Sequence, residues 1–280
     1  MRADLHIHTV YSDGAYTPAE IAARVKAAGV ELCSMTDHDS LEGLGEKRAA
    51  AAAQGLRFIS GWEVSSYADG AKVHVLGYGC RPNAAYRAFL ARRKEGALLR
   101  AEEMIGRANA VFGLSLTLAD AEKLHLKKEA PLHTMHVVGA FASRLGRKKG
   151  ELYQEYFSAG KPCYSDKMRP TPFDAIDVTH QTGGIASLAH PGRIPLGFET
   201  RERLMDALVL HGLDGIEYTH SDHTDPERAY FRAYGEKKGL YLTGGSDFHA
   251  EGMRNRVIGQ PPFEPDARLL EVFARLRESE

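Results

Sequence analysis

Six histidines and three carboxylates recur along this 280-residue chain, most of them just after short apolar runs, and together they make a ligand set for divalent cations. The set begins in Asp4-Leu5-His6-Ile7-His8-Thr9. On a β-strand, residues two apart point to one face, so His6 and His8 present two imidazoles side by side while Leu5 and Ile7 face the other way. The same form returns in Thr36-Asp37-His38-Asp39, Gly61-Trp62-Glu63-Val64, Val73-His74-Val75, Ala189-His190-Pro191-Gly192-Arg193 and Gly245-Ser246-Asp247-Phe248-His249. Asp13 lies in the turn Tyr11-Ser12-Asp13-Gly14. The candidate ligands are therefore His6, His8, Asp13, His38, Glu63, His74, His190, Asp247 and His249. One ion takes about four to six ligands, so this many suit two or three ions sharing a bridging carboxylate. Imidazole and carboxylate donors suit Zn, Mn or Fe, with Mg also compatible, and the lack of cysteine near the clusters argues against a structural zinc site. Singly, each residue reads equally well as a buried histidine with a local hydrogen bond or an acid capping a helix. Their recurrence at strand ends does not.

The elements that must position these groups alternate. After the first strand, Thr17-Pro18-Ala19-Glu20 predicts a helix start, with Thr as N-cap, Pro in the first turn and Glu three residues on. Strands are expected at 32–35, 57–60 and 72–78, with an Ala-rich helix at 41–54. The rhythm resumes with helices at 172–181, 202–211, 226–238 and 266–277 and strands at 185–189, 215–218 and 240–243. About seven strands separated mostly by helices predict a parallel, barrel-like α/β fold, in which chemistry collects on loops at the carboxyl ends of strands. Residues 1–80 and 166–280 would form this domain. Between them, 81–165 reads as a helical insertion, with pieces at 83–112, from Leu118 to Lys127, 135–145 and 152–157. It holds 15 Lys and Arg against 8 Asp and Glu, while the remainder holds 21 against 29. This balance reads either as a basic lid that attracts an anionic substrate or as a solvated helical face.

The totals exclude several classes. Hydrophobic residues at 43% and charged residues at 26% are ordinary for a globular chain, which argues against disorder. A formal net charge of −1 gives no whole-chain field that selects a membrane or a polyanion. Cys33, Cys80 and Cys163 have no paired spacing, which argues against a disulfide framework and for a reducing compartment. No apolar run is long enough to span a membrane, and the polar residues at 4, 6 and 8 break any signal peptide. The expectation is a soluble cytoplasmic protein.

Taken in order, D-L-H-I-H-T, S-D-G, T-D-H-D, G-W-E-V-S, V-H-V-L-G-Y, A-H-P-G-R and G-S-D-F-H, with Gly160-Lys161-Pro162, resemble the polymerase-and-histidinol-phosphatase (PHP) family of metal-dependent phosphoesterases. The likeness is greatest to its subgroup with a helical insertion, which includes nucleotide phosphatases and oligoribonucleotide 5′-exonucleases. It extends over nearly the whole chain. It implies a distorted seven-stranded β/α barrel with an inserted small helical domain. It further implies that His6, His8, Glu63 and Asp247 hold one metal. Glu63, as a bridge, would hold a second with His74 and His190, and Asp13, His38 and His249 a third. The subgroup commonly has an Arg and a His in the insertion to grip phosphate. This chain has Leu132-His133-Thr134-Met135-His136, without that Arg, leaving Thr134 and His136 as the candidates there.

The expected activity is metal-dependent hydrolysis of a phosphate monoester of a small metabolite, foremost a nucleotide or short oligonucleotide. Clustered divalent ions activate water near neutral pH and neutralise the transferring group. Asp247, Arg193 and His223 are the expected catalytic residues. Arg193 has phosphate or a surface acid as its alternative partners. His223 could protonate the leaving oxygen, with His220 as its rival. Lys161 is a further phosphate contact. Asp4, Asp37 and Asp39 read either as groups that orient imidazoles or as loop caps, and Trp62 as core packing. The expected partner is a small phosphorylated substrate, with neither a membrane nor a long nucleic acid. Two other readings stand beside this one: a C–N hydrolase of amidohydrolase type, and a non-catalytic metal-binding regulatory module.

Overall fold

The computed structural model describes residues 1–124, 132–253 and 256–278. Lys127, where one expected helix ends, lies outside them. The chain opens with β1 (Ala3–Ile7), α1 (Pro18–Ala27), β2 (Leu32–Met35), α2 (Leu44–Ala53) and β3 (Arg57–Phe58). The cap of α1 is the one its spacing predicts: Thr17 Oγ1 accepts from the Glu20 N–H, and the Glu20 carboxylate accepts from the Thr17 N–H at 2.8 Å. Ile21, Ala22 and Val25 on α1 are buried against Ile7, Cys33, Met35 and Phe58, so burial of one apolar stripe sets the helix on the sheet. β1, β2 and β3 pair in parallel in that order.

The chain then runs through β4 (Gly61–Ala68) and β5 (Ala71–Tyr78), an antiparallel hairpin in register from Gly61–Tyr78 to Ala68–Ala71. Its two turn residues, Asp69 and Gly70, have φ of 50° and 75°, the left-handed pair a tight hairpin needs. Helices follow: α3 (Ala84–Phe112), α4 (Leu118–Glu122), α5 (Thr134–Leu145) and α6 (Lys149–Leu152), continued by a wider π-type turn over Tyr153–Phe157. The remaining elements are α7 (Pro172–Gln181), β6 (Ile185–Leu188), α8 (Phe198–His211), β7 (Gly215–His220), α9 (Asp225–Lys238), β8 (Tyr241–Gly245) and α10 (Ala267–Glu278). β4 to β8 form a five-stranded sheet in sequence order.

The fold is α/β, but its strands are not arranged as the sequence rhythm predicts. Among the described residues there are eight strands in a three-stranded and a five-stranded sheet, not one closed sheet of seven. The pairings β4–β5 and β5–β6 are antiparallel, and only β6–β7–β8 continue in parallel. The cause is local: the Asp69-Gly70 turn sends the chain straight back, so β4 and β5 need no crossover helix. Single-residue bridges, Ile7 with Phe248 and His38 with Glu63, pair the first sheet with the second.

Two compact units are present, Met1–Tyr86 with Thr171–Glu280, and Arg87–Pro170. The second has its own core, which includes Met104, Ile105, Val137, Phe141, Leu152 and Phe157. Trp62 is fully buried in the first unit, edge-on to Tyr86. The three cysteines are buried, and none of them is in a disulfide. No helix among the described residues is long and apolar enough to cross a membrane.

Candidate metal centre

The centre is assembled where strand ends meet. Asp4 ties β1 to the far end of the chain: its carboxylate accepts from the N–H groups of Ser246 at 3.0 Å and Gly259 at 2.8 Å. Gly245 permits the approach, since a Cβ there would lie 2.4 Å from His6 Cβ. Asp37 is fully buried and organises the loop after His8. It accepts from Thr9 N–H, Thr9 Oγ1 and Ser12 Oγ, each at 2.7 Å, and pairs with the buried Lys47 ammonium at 2.6 Å. Asp39 accepts from the Ser65 N–H at 2.7 Å. These three acids therefore bind backbone and loop groups, the second of the two roles open to them. Asp39, His190 and Asp247 have φ of 54°, 27° and 53°, so three non-glycine residues at this one place occupy costly left-handed backbone.

The nine expected ligands converge. Glu63 faces two groups of imidazoles with its two oxygens. Oε2 lies 3.3 Å from His6 Nε2, 3.3 Å from His8 Nε2 and 2.9 Å from His38 Nδ1. Oε1 lies 2.6 Å from His74 Nδ1 and 2.9 Å from His190 Nε2. Asp247 Oδ1 lies 3.2 Å from His8 Nε2, 3.6 Å from His6 Nε2 and 3.4 Å from His249 Nδ1. The exposed Asp13 closes the set, 3.3 Å from His249 Nε2 and 3.9 Å from His38 Nε2. Ligand atoms near enough to share one ion occur in His6, His8, Glu63 and Asp247; in His8, Asp13, His38 and His249; in His38, Glu63 and His74; and in His6, Glu217 and His220.

These residues fit divalent cations. His6 Nε2, His8 Nε2, His38 Nδ1, His74 Nε2, His190 Nδ1 and Glu63 Oε2 are all buried without an aligned hydrogen bond among the described residues. Buried polar atoms are normally satisfied, so six left over in one cluster mark a place built for a cation. Burial alone would raise the Glu63 carboxyl, but His74, His38 and His6 hold it well below the usual carboxylate range. Asp247 is held down in the same way, against its burial, by His6, His220 and His8. Burial lowers His74 to about 3, the neutral form a ligand needs. For His8, burial is outweighed by Asp247 and Glu63, which carry it up to about 9, a measure of the negative field there.

Two residues that the sequence did not single out as functional, Glu217 and Arg256, complete the surroundings together with His220, the rival proton donor. Glu217, fully buried on β7, lies 3.0 Å from His6 Nδ1 and accepts from the His190 N–H at 2.7 Å, so it fixes one imidazole and the loop bearing another. His220 Nε2 lies 3.3 Å from Asp247 Oδ2. Arg256, buried, reaches the same Oδ2 at 2.5 Å. Arg193 Nη1 stands 3.0 Å from Asp247 Oδ2 as well. His223 is engaged by backbone at both nitrogens, Nδ1 donating to Tyr218 O at 3.0 Å and Nε2 accepting from the Gly192 N–H at 3.1 Å. Its burial lowers it to about 4. In the helical unit, the His133 N–H donates to His136 Nδ1 at 3.1 Å at the start of α5, beside Thr134, and Lys161 is exposed.

Residues 4–157 match the PHP domain. A 3′,5′-nucleoside bisphosphate phosphatase of Chromobacterium violaceum is 34% identical over 278 residues, covering 95% of this chain and 97% of that protein. A phosphoribosyl 1,2-cyclic phosphate 1,2-diphosphodiesterase of Eggerthella lenta is 32% identical over 270 residues, covering 92% and 98%. A solved structure described as an amidohydrolase from Chromobacterium violaceum, with sulfate and no metal bound, aligns with a TM-score of 0.73 at 32% identity, covering 98% of this chain and 97% of that one. Near-full-length likeness above 30% identity, a domain match across more than half the chain and the assembled His and carboxylate cluster agree with the sequence motifs: the chain belongs to the PHP domain family.

Proposed function

We propose that this protein is a metal-dependent phosphoesterase that hydrolyses phosphate monoesters of small nucleotide-like molecules at the Glu63–Asp247 centre. The observation that carries the reading is Glu63, whose two oxygens face two separate groups of imidazoles and so suit a carboxylate shared between ions. His6, His8 and Asp247 would hold one ion with Glu63, His74 and His190 a second, and Asp13, His38 and His249 a third. Bound there, such ions supply Lewis acidity and activated water. The chain's own groups do the rest. Arg193 offers a guanidinium to the phosphoryl oxygens, and Glu217 keeps His6 turned toward the centre. His223 holds Gly192 and thereby the turn that carries Arg193. Both of its nitrogens serve the backbone in the absence of substrate, and protonation of the leaving oxygen by His223, or by its rival His220, belongs to the same reading.

The relatives support the substrate class, since two act on phosphate esters of nucleosides or ribose, and the sulfate in the solved relative has the shape of a phosphoryl group. Lys161, Thr134 and His136 belong to the same reading as candidate phosphate contacts. So does the distorted barrel, supported by the bridges that link the two sheets. A reducing, cytoplasmic setting belongs to the same reading and is supported by three buried cysteines outside any disulfide.

The test is phosphate release from a panel of nucleoside monophosphates, 3′,5′-bisphosphates and short 5′-phosphorylated oligonucleotides, with Mn, Zn or Fe added after chelation. Release that depends on the metal supports the reading. The solved relative described as an amidohydrolase favours a second reading, amide hydrolysis by the same centre. Turnover of an amide panel without phosphate release would establish that one instead.

A further inference from the structure

Asp247 presents its two oxygens to different chemistry. Oδ1 faces imidazoles, while Oδ2 receives Arg193 Nη1 at 3.0 Å, Arg256 Nη1 at 2.5 Å and His220 Nε2 at 3.3 Å. Arg256 also donates from Nη1 to the Asp247 carbonyl at 2.9 Å and from Nη2 to Asp222 Oδ2 at 2.8 Å. Asp222 Oδ2 in turn lies 3.2 Å from Arg193 Nε. The result is a closed ring of alternating charge: Asp247, Arg256, Asp222, Arg193 and back to Asp247. Arg256 is 3% exposed, whereas the Arg193 side chain is about one-third exposed. The ring thus has a fixed inner cation and a reachable outer one. Arg193 commits Nε and Nη1 to the ring, which leaves Nη2 as its outward donor.

We propose that Arg256 is a positioning residue with two outputs. It fixes the Asp247 carboxylate so that only Oδ1 is offered to a cation, and through Asp222 it aims Arg193 at the substrate phosphoryl group. A planar guanidinium can bridge two carboxylates from two edges at fixed angles, and an ammonium cannot. Removing a partner that orients a metal ligand typically weakens metal binding or activity about 10- to 100-fold. The second output rests on the phosphoesterase reading above; the first does not.

The experiment compares wild type, Arg256→Ala, Arg256→Lys and Asp222→Asn. Bound Mn is measured by calorimetry and elemental analysis, and KM and kcat on whichever phosphate ester the wild type turns over. Arg256→Ala is expected to weaken Mn binding about tenfold or more, and Arg256→Lys is expected not to restore it. Asp222→Asn is expected to keep wild-type Mn content and to lower kcat/KM about tenfold, because only the aim of Arg193 is lost. Wild-type Mn affinity in Arg256→Ala or full rescue by Arg256→Lys would overturn the first output, and an unchanged kcat/KM in Asp222→Asn the second. If Arg256→Ala does not fold, Arg256→Lys decides the first. If the wild type releases no phosphate at all, the phosphoesterase reading and the second output fail together, and the Mn arm still decides the first.

Discussion

Glu63 and Asp247 share His8: its Nε2 lies 3.3 Å from Oε2 of one and 3.2 Å from Oδ1 of the other. Two residues 184 positions apart in sequence thus meet at one imidazole, which is what a carboxylate-rich cation site requires.

Loss of any of these three groups should remove the centre without removing the fold. His8→Ala, Glu63→Ala and Asp247→Ala are each expected to lower metal-dependent phosphate release by at least about a hundredfold. Circular dichroism should stay native-like, because Leu5, Ile7 and Val64 carry the local packing. Retained turnover in His8→Ala and Asp247→Ala would refute their assignment.

Glu217 should act through His6. Glu217→Gln keeps the volume but removes the charge 3.0 Å from Nδ1. The expected result is roughly 10- to 100-fold weaker metal binding, seen by competition with a chelating dye. Equal affinity would show that His6 needs no such partner.

The Lys47–Asp37 pair tests how the loop after His8 is held. Lys47→Met leaves Asp37 buried without its cation, and breaking a buried pair from one side costs about 3 kcal/mol or more. Denaturant unfolding should show a lower midpoint. The same variant should weaken the ion served by Asp13, since Asp37 anchors Thr9 and Ser12 on either side of that loop.

A pH dependence away from the centre comes from His180, which lies 2.7 Å from Asp214 with Asp177 nearby. The Asp214 hydrogen bond raises its pKa, against a smaller effect of burial. A group with a raised folded pKa stabilises fully below its unfolded value, near 6.5, and that contribution is lost as pH climbs through the folded value. The pair is partly exposed, so the effect should stay under about 1 kcal/mol. His180→Gln should melt below wild type at pH 6 and level with it near pH 9. An equal gap at both pH values would contradict the assignment.

What was legible in the sequence was local or repeated. The His-x-His strand, the Thr17 cap and the recurring His and acid clusters all announce themselves within a few residues. The Asp69-Gly70 turn was a local signal too, and it marks the hairpin that the strand–helix rhythm passed over. Glu217 and Arg256 were hidden for a different reason. A single Glu in Gly215-Ile216-Glu217-Tyr218 reads as an outward strand position until His6 is known to lie opposite it. Arg256 sits in a loop with no periodicity, and its partners Asp222 and Asp247 are set by the fold. His223 shows another side of the same limit: its residue type announces proton transfer, and only the fold shows that Gly192 and Tyr218 bind its two nitrogens.

Anomalous diffraction from crystals grown with Mn would show whether Glu63 is shared between ions. At least two ions are expected, both in contact with Glu63, one also bound by His6, His8 and Asp247 and another by His74 and His190. Ions bound elsewhere, or a single ion that leaves one Glu63 oxygen without metal, would contradict the shared role of Glu63.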